Sequence, residues 1–235
     1  MIKKAMILAA GFGKRIHPLT LKHPKPLLKI GSETLLSNTL KFLELSDIKD
    51  VVINVHYLGE QIFSYIKNNK FNLNINIVKE KDKILDTGGG VLNAINYFLN
   101  EPFLIINPDT VWNSYYLKEL KLMEKTLFEN KKNKCSLLVV NKEKSFDQSF
   151  KGDFNLKNNL INRKDKDNLN CIYTGLQIIK PEVFNGLIEE VFSINRIWDK
   201  LIQKNELYGM KSNISFLHVS TLDIYKRLLE KYFKH

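Results

Sequence analysis

The segment Leu8-Ala9-Ala10-Gly11-Phe12-Gly13-Lys14-Arg15 places two glycines and two cations directly after a short apolar run. Glycines there let backbone N–H groups crowd around an anion. Lys14 and Arg15 add positive charge, and arginine adds paired donors. That combination points to phosphate chemistry. It is not a Walker loop, because no Gly-Lys-Ser/Thr follows at the proper distance. It is not a dinucleotide fingerprint, because Ile16 stands where a third glycine belongs. A lone Gly-x-Gly is as readily a structural turn, so the surrounding residues decide. Lys25 lies between Pro24 and Pro26. The prolines should hold it extended and stiff, a fixed charge rather than a solvated loop lysine. Asp109 comes just past the apolar run Phe103–Ile106. Ligands of open parallel sheets bind outside the carboxyl ends of strands. A hard carboxylate there suits Mg²⁺, which takes one or two carboxylates plus phosphate oxygens and water. Alone, Asp109 reads as a turn or cap residue; with the glycine loop and Lys25 in the same chain, the metal role is favoured. Thr87-Gly88-Gly89-Gly90, before a helical pattern, is either a flexible turn or a place where a flat base or ribose meets the backbone.

Elements that position these residues follow from periodicity. Ala5–Ala10 is a short continuous apolar run, as expected of a strand buried on both faces. Leu36, Leu40 and Leu43 recur at helical spacing, and Val51–Val55 is a second strand. A helix carrying Ile62 and Ile66 follows Gly59, and Ile75–Val78 is a short strand. Val91, Leu92, Ile95, Phe98 and Leu99 predict a helix beginning after Gly90. Phe103–Ile106 and Ser136–Val140 are further strands. Such alternation implies a mostly parallel sheet with helices on both faces. After about residue 145 the rhythm changes. A hairpin turning at Asn158-Asn159 is expected, then a strand at Ile172–Ile179 and helices at Ile194–Gln203 and Leu222–Phe233.

The 235 residues suit one domain. A second part after about residue 145 is expected to extend the first sheet and supply a second wall to one cleft. The net charge of +11 raises nucleic acid or an anionic membrane as partners. The lysines are scattered among Asn and Glu, with no aromatic-interleaved basic tract, so neither partner is expected. The positive field still favours a polyanionic substrate. Cys135 and Cys171 have no CxxC or metal-ligand partners and read as reduced thiols. No run approaches the roughly 20 apolar residues of a membrane helix. The start resembles a signal peptide, but its apolar stretch ends at once in Gly11–Arg15. A buried first strand and a cytoplasmic location are expected instead.

The whole pattern LAAGxGxRxxPxT…PKPL resembles the sugar-1-phosphate nucleotidylyltransferases, and most of all the bacterial N-acetylmuramate-1-phosphate uridylyltransferases. The likeness continues through Val52-Ile53-Asn54, Tyr57–Ile62, Leu85–Gly90, Asn107-Pro108-Asp109, Gly152-Asp153-Phe154 and Tyr173-Thr174-Gly175. It implies a doubly wound, mostly parallel α/β sheet of Rossmann-like type, with a small β-rich extension over the cleft. It implies that Leu8 and the loop Ala10–Arg15 (Gly11, Phe12, Gly13, Lys14) wrap a triphosphate. Lys25 would sit beside the reacting phosphates with Arg15, Gly88 would lie against base and ribose, and Asp109 would hold Mg²⁺. Asn107, Gly152, Thr174, Gly175 and Asp199 would bind substrate, with a nucleotide-binding part over about 1–145 and a sugar-binding part over about 146–235. The expected substrates are a nucleoside triphosphate and a sugar-1-phosphate, best UTP and N-acetylmuramate-1-phosphate, with GTP and mannose-1-phosphate next. Two departures stand out. Family members usually carry a late Asp as second metal ligand, in a Trp-x-Asp-Val-Gly-Thr-like stretch; here that place holds His218, a poorer Mg²⁺ ligand. Asp199 is a candidate for the missing charge, or else a helix-surface residue. The usual Glu-Lys-Pro is absent, and Arg163, Lys164 and Lys166 stand near its place without an assigned role. Two other readings stay open: a nucleotide-binding regulator without catalysis, and a basic nucleic-acid-binding protein.

Overall fold

In the computed structural model, which describes residues 1–165, 167–188 and 190–233, the first apolar run becomes strand β1 (Lys4–Leu8). Ala5, Met6 and Ile7 are wholly buried in it, because helices cover both faces of the sheet. The short strands β2 (Lys29–Ile30) and β3 (Glu33–Thr34) pair with each other. Thr34 then caps helix α1 (Leu35–Leu45), its hydroxyl accepting the Ser37 amide at 3.0 Å. Strand β4 (Asp50–Val55), helix α2 (Gly59–Asn68), strand β5 (Asn74–Lys79), helix α3 (Asp86–Asn93), strand β6 (Phe103–Ile106), helix α4 (Tyr116–Glu129) and strand β7 (Cys135–Asn141) follow. The hairpin β8 (Asn155–Lys157) and β9 (Leu160–Asn162), strand β10 (Cys171–Ile179), helix α5 (Asn195–Lys204), strand β11 (Leu207–Ser212) and helix α6 (Leu222–Tyr232) complete the order.

Nine strands form one sheet in the order β5-β4-β1-β6-β10-β7-β11-β9-β8. β5, β4, β1 and β6 run parallel, as do β7 and β11. β10 opposes both its neighbours β6 and β7. One face of the sheet is buried under α1, α2 and α4 through Leu40, Ile62 and Leu120. The other is buried under α3 and α5 through Val91 and Trp198. This is the expected doubly wound, mostly parallel α/β fold, and the later strands extend the same sheet. A third cluster packs α6 residues Ile224 and Leu228 on Ile16, Leu28 and Val111, behind the loops at the strand ends.

Several expectations need correction. α3 begins at Asp86, so Gly88, Gly89 and Gly90 lie inside the helix rather than before it. Close packing explains this: a Cβ on Gly89 would stand 2.0 Å from the Glu190 carbonyl oxygen. α4 and β11 were not anticipated from the pattern, and neither was the antiparallel direction of β10. The hairpin does turn at Asn158 and Asn159, with φ of 50° and 61°. Both cysteines are buried and unpaired, and burial pushes both thiols up. Among the described residues, no helix is long and apolar enough to cross a membrane.

Candidate active site

The chain leaves the sheet at Ala9, whose amide donates to Asn54 Oδ1 at 2.9 Å. The two loop glycines then do different work. Gly13 has φ of +64°, and a Cβ there would meet Thr20 Cγ2 at 2.9 Å. Buried Thr20 donates its hydroxyl to the Gly13 carbonyl at 2.8 Å, which fixes the turn. Gly11 has nothing within 4 Å of a Cβ position. The amides of Gly11, Phe12 and Gly13 have no backbone partner among the described residues. Open N–H groups of this kind form an anion-binding concavity. The Phe12 ring leans on His56 and Tyr57, at centroid distances of 5.8 and 5.4 Å, and Lys14 lies 5.3 Å over it. Beneath the loop is a cavity of about 460 Å³. Leu8 through Ile16, Lys25, Asn54, Asp86, Thr87, Asn107, Asp109 and Ser220 line it. A volume of that order suits a nucleotide-sized ligand.

Lys25 opens a 3₁₀ turn, Lys25–Leu27, so its backbone is not extended as the flanking prolines suggested. Pro24 before the turn and Leu28 after it are extended, with ψ of 142° and 138°. The Lys25 ammonium pairs with Asp109 Oδ2. Asp109 itself is held by a short bridge beyond β6. Val219 donates its amide to the Asp109 carbonyl, and Val111 to the Leu217 carbonyl, both at 2.8 Å. That bridge brings His218 Nε2 to 3.3 Å from Asp109 Oδ2. The rings of Phe216 and Phe150 wall the imidazole, with centroids at 5.4 and 5.7 Å. Burial pushes His218 down to about 4 despite the nearby Asp109 carboxylate, so the ring is neutral at pH 7. Burial alone would raise the Asp109 carboxyl. The Lys25 ammonium and His218 outweigh it and hold the group below the usual carboxylate range.

Asp109 Oδ1 and His218 Nε2 are both buried without a hydrogen-bond partner. Unsatisfied buried polar atoms are rare and costly, so they mark a place for a ligand. No group of three or more His, Cys, Asp or Glu suited to a metal exists among the described residues. The protein therefore offers one carboxylate and one imidazole. A Mg²⁺ ion held by the carboxylate, with its other ligands drawn from phosphate oxygens and water, fits that set, and the imidazole would reach it through a water or a hydrogen bond.

Arg15, Lys25 and Asp109 come together at the cavity, with Leu8, Ala10, Gly11, Phe12, Gly13, Lys14 and Asn107. Six other expected residues do not line it, among them His218, which lies behind Asp109 at 3.3 Å. Gly88 donates its amide to the Phe192 carbonyl at 2.9 Å, and a Cβ there would strike the Phe192 ring. Its place on the cavity wall goes to Asp86 and Thr87. Thr174 is buried and donates to the Leu138 carbonyl at 2.9 Å, which leaves no face for a substrate. Gly175, with φ of +91°, sits at the irregularity of β10 and lets Asn107 approach; a Cβ would stand 2.8 Å from Asn107 Cβ. Gly152, with φ of +95°, packs against the Leu169 carbonyl. Asp199 does not supply a charge beside Asp109. It pairs with Arg163 at 2.6 Å, and that guanidinium lies 4.4 Å over the Phe154 ring. Lys164 is exposed, and Lys166 lies outside the described residues. Sequence reasoning missed roles for Asn54, Glu80 and Ser220. Asn54 had a signal, as the one amide inside the apolar run Val51–Val55. Ser220 donates to Asp147, which burial raises but hydrogen bonds from Ser149 and Ser220 hold low.

The sequence profile of the family described as Nucleotidyl transferase matches residues 4–150. The N-acetylmuramate alpha-1-phosphate uridylyltransferase of Neisseria meningitidis serogroup B is 30% identical over 224 residues, covering 93% of this chain and 94% of the relative. The enzyme of the same description from Caulobacter vibrioides is 27% identical over 222 residues, covering 92% and 91%. The crystal structure of HddC from Yersinia pseudotuberculosis complexed with GMP-PN superposes with a TM-score of 0.76 at 21% identity. It covers 98% of this chain and 100% of that one, and it supports the fold. The glycine loop, the Lys25–Asp109 pair and the strands β1 and β6 that they follow all fall within the matched residues, and the chain belongs to the nucleotidyl transferase family.

Proposed function

We propose that the chain joins a nucleoside triphosphate to a sugar-1-phosphate, forming a nucleotide sugar and releasing pyrophosphate. UTP and N-acetylmuramate-1-phosphate are the preferred pair. The observation that carries the reaction class is the Lys25–Asp109 pair at a cavity walled by an open glycine loop. The two relatives described as N-acetylmuramate alpha-1-phosphate uridylyltransferases support the substrate pair, since they match along nearly their whole length.

In this reading the reaction is an in-line displacement. An oxygen of the sugar phosphate forms a bond to the α-phosphorus. The bond from that phosphorus to the bridging oxygen breaks, and pyrophosphate leaves with the electron pair. A phosphate oxygen is already anionic at neutral pH, so no general base is needed. The chain's own contribution is positioning and charge neutralisation. The open amides at Gly11–Gly13 cradle phosphate oxygens. Arg15 offers paired donors, and Lys25 has donors to spare beyond Asp109. Asp109 Oδ1 would hold Mg²⁺, which supplies further neutralisation of the phosphates when bound. His218 would contribute through a water or a hydrogen bond, since imidazole is a weak Mg²⁺ ligand. The lactyl carboxylate of the muramyl sugar adds a negative charge, which Lys14, Arg15 and Lys25 around the cavity favour.

The test is a matrix of nucleoside triphosphates against sugar-1-phosphates, read as kcat/KM from pyrophosphate release. UTP with N-acetylmuramate-1-phosphate should lead by at least about tenfold, roughly 1.4 kcal/mol. A lead for GTP with mannose-1-phosphate overturns the pair and leaves the reaction class standing.

A further inference from the structure

Glu80 has no part in the reaction above, yet it is a carboxylate only 2% exposed. Both its oxygens are engaged. Oε1 accepts from Asn54 Nδ2 at 2.7 Å, and Oε2 accepts from the Leu85 amide at 2.8 Å. Asn54 passes the connection on, since its Oδ1 accepts the Ala9 amide at 2.9 Å. The bonds thus run Ala9–Asn54–Glu80–Leu85. A buried carboxylate is tolerated when its hydrogen bonds are complete, and here they are.

The two ends of this chain of bonds are what give it meaning. Ala9 is the first residue past β1, where the phosphate loop leaves the sheet. Leu85 precedes Asp86 and Thr87, which line the same cavity. Asp86 has φ of +58°, and its carboxylate caps the Thr87 amide at 2.6 Å. The start of α3 therefore depends on where Leu85 is held. Gly90 reports how closely α3 presses on these bonds. A Cβ there would stand 2.7 Å from Asn54 Nδ2 and 2.8 Å from Glu80 Oε1.

We propose that Glu80, acting through Asn54, is a positioning residue that sets the separation between the phosphate loop at Ala9 and the opposing turn at Leu85–Thr87. Nucleotide affinity then depends on a side chain that does not touch the nucleotide. The inference rests on the nucleotide reading of the cavity given above.

Three variants test it, with UTP titrated calorimetrically and unfolding followed in parallel. Glu80→Gln exchanges an acceptor for an amide. However that amide turns, one N–H among Asn54, Ala9 and Leu85 is left without an acceptor. The Kd for UTP should rise about tenfold, or about 1.4 kcal/mol. Asn54→Asp sets two carboxylates face to face and should weaken UTP at least as much. The double variant restores every bond. The new amide donates to the new carboxylate, which still accepts the Ala9 amide, while the amide oxygen accepts that of Leu85. Its Kd should return to within about twofold of the starting protein, consistent with the coupling seen between directly bonded partners. If one single variant does not fold, the other against the double gives the same comparison. Folded single variants that bind UTP as tightly as the starting protein overturn the inference, and so does a double variant no better than the singles. A starting protein that binds no nucleoside triphosphate fails the reading of the cavity and this inference with it. Tight binding by the starting protein and all three variants fails this inference alone.

Discussion

Gly11 and Gly89 sit in two glycine-rich segments that read alike in sequence and serve opposite ends. A Cβ on Gly11 would meet nothing within 4 Å, and the residue lines the cavity. A Cβ on Gly89 would stand 2.0 Å from the Glu190 carbonyl oxygen, with Leu85 close behind. The first segment leaves open space on the cavity. The second uses the absence of a side chain to bring protein against protein. Its neighbours repeat the pattern, Gly88 against Phe192 and Gly90 against Asn54 and Glu80. Glycine content alone therefore does not separate a binding loop from a packing surface. What separates them is the strand end that one follows and the segment that crosses the other.

This contrast can be broken or sharpened by substitution. The largest effect belongs to the ligand-facing side. Lys25→Ala should lower kcat by about two to three orders of magnitude, the scale of losing one transition-state stabiliser. Some stability goes too, because Asp109 loses its partner, so the assay belongs well below the melting temperature. Near-full turnover in Lys25→Ala would remove the charge from the argument. Next comes the packed side. Gly89→Ala should cost roughly 3 kcal/mol, the upper range for overpacking, and lower Tm by about 10 °C for a chain of this size. Thermal unfolding reads it directly. A variant as stable as the parent would mean that α3 and the segment at Glu190 are not pressed together.

Gly11→Ala is the matching substitution on the open side. Stability should stay within about 0.5 kcal/mol, as for a surface change, while the Kd for UTP rises about tenfold because the methyl enters the space of the phosphates. If Gly11→Ala destabilises and Gly89→Ala does not, the comparison is reversed. The smallest expected effect is on pH. In the metal-free protein the His218 value is depressed to about 4, below its ordinary value. The unfolded chain then takes up a proton that the folded one refuses, so stability falls as pH drops from about 6.5 towards 4. Between pH 7 and 5.5 the loss should be about 1 kcal/mol, and His218→Asn should flatten it. An unfolding free energy that falls equally with pH in the two proteins, read from denaturant titrations at each pH, would contradict that burial.

Much of the ligand-facing side was legible in the sequence. The apolar run before Gly11, the two cations and the carboxylate after β6 needed only the rule that ligands gather at the carboxyl ends of parallel strands. The packed side was not legible, for a physical reason. Gly88–Gly90 look like a turn because glycine is a poor helix former. They are glycines within a helix because Phe192, Glu190 and Asn54, all distant in sequence, together with Glu80 occupy the space their side chains would need. Lys25 illustrates the same limit. Proline flanks constrain backbone angles, but the turn there is closed by the Leu27 and Leu28 amides, which donate to the Pro24 and Lys25 carbonyls at 2.9 and 3.0 Å. Thr174 stood in a recognisable motif, and Asp199 was a carboxylate open to either a site role or a helix surface. Their partners, Leu138 and Arg163, could be known only from the fold. α4 escaped notice although Tyr116, Leu120, Met123 and Leu127 recur at helical spacing and are all buried.

Isotopic labelling shows whether a sugar phosphate attacks the α-phosphorus. UTP labelled at the α-phosphate should pass its label into a nucleotide sugar, only when N-acetylmuramate-1-phosphate or another sugar-1-phosphate is present. UTP labelled at the γ-phosphate should give labelled pyrophosphate and no labelled sugar. Label released from the γ-position as free phosphate, or pyrophosphate formed without any sugar-1-phosphate, would contradict the account.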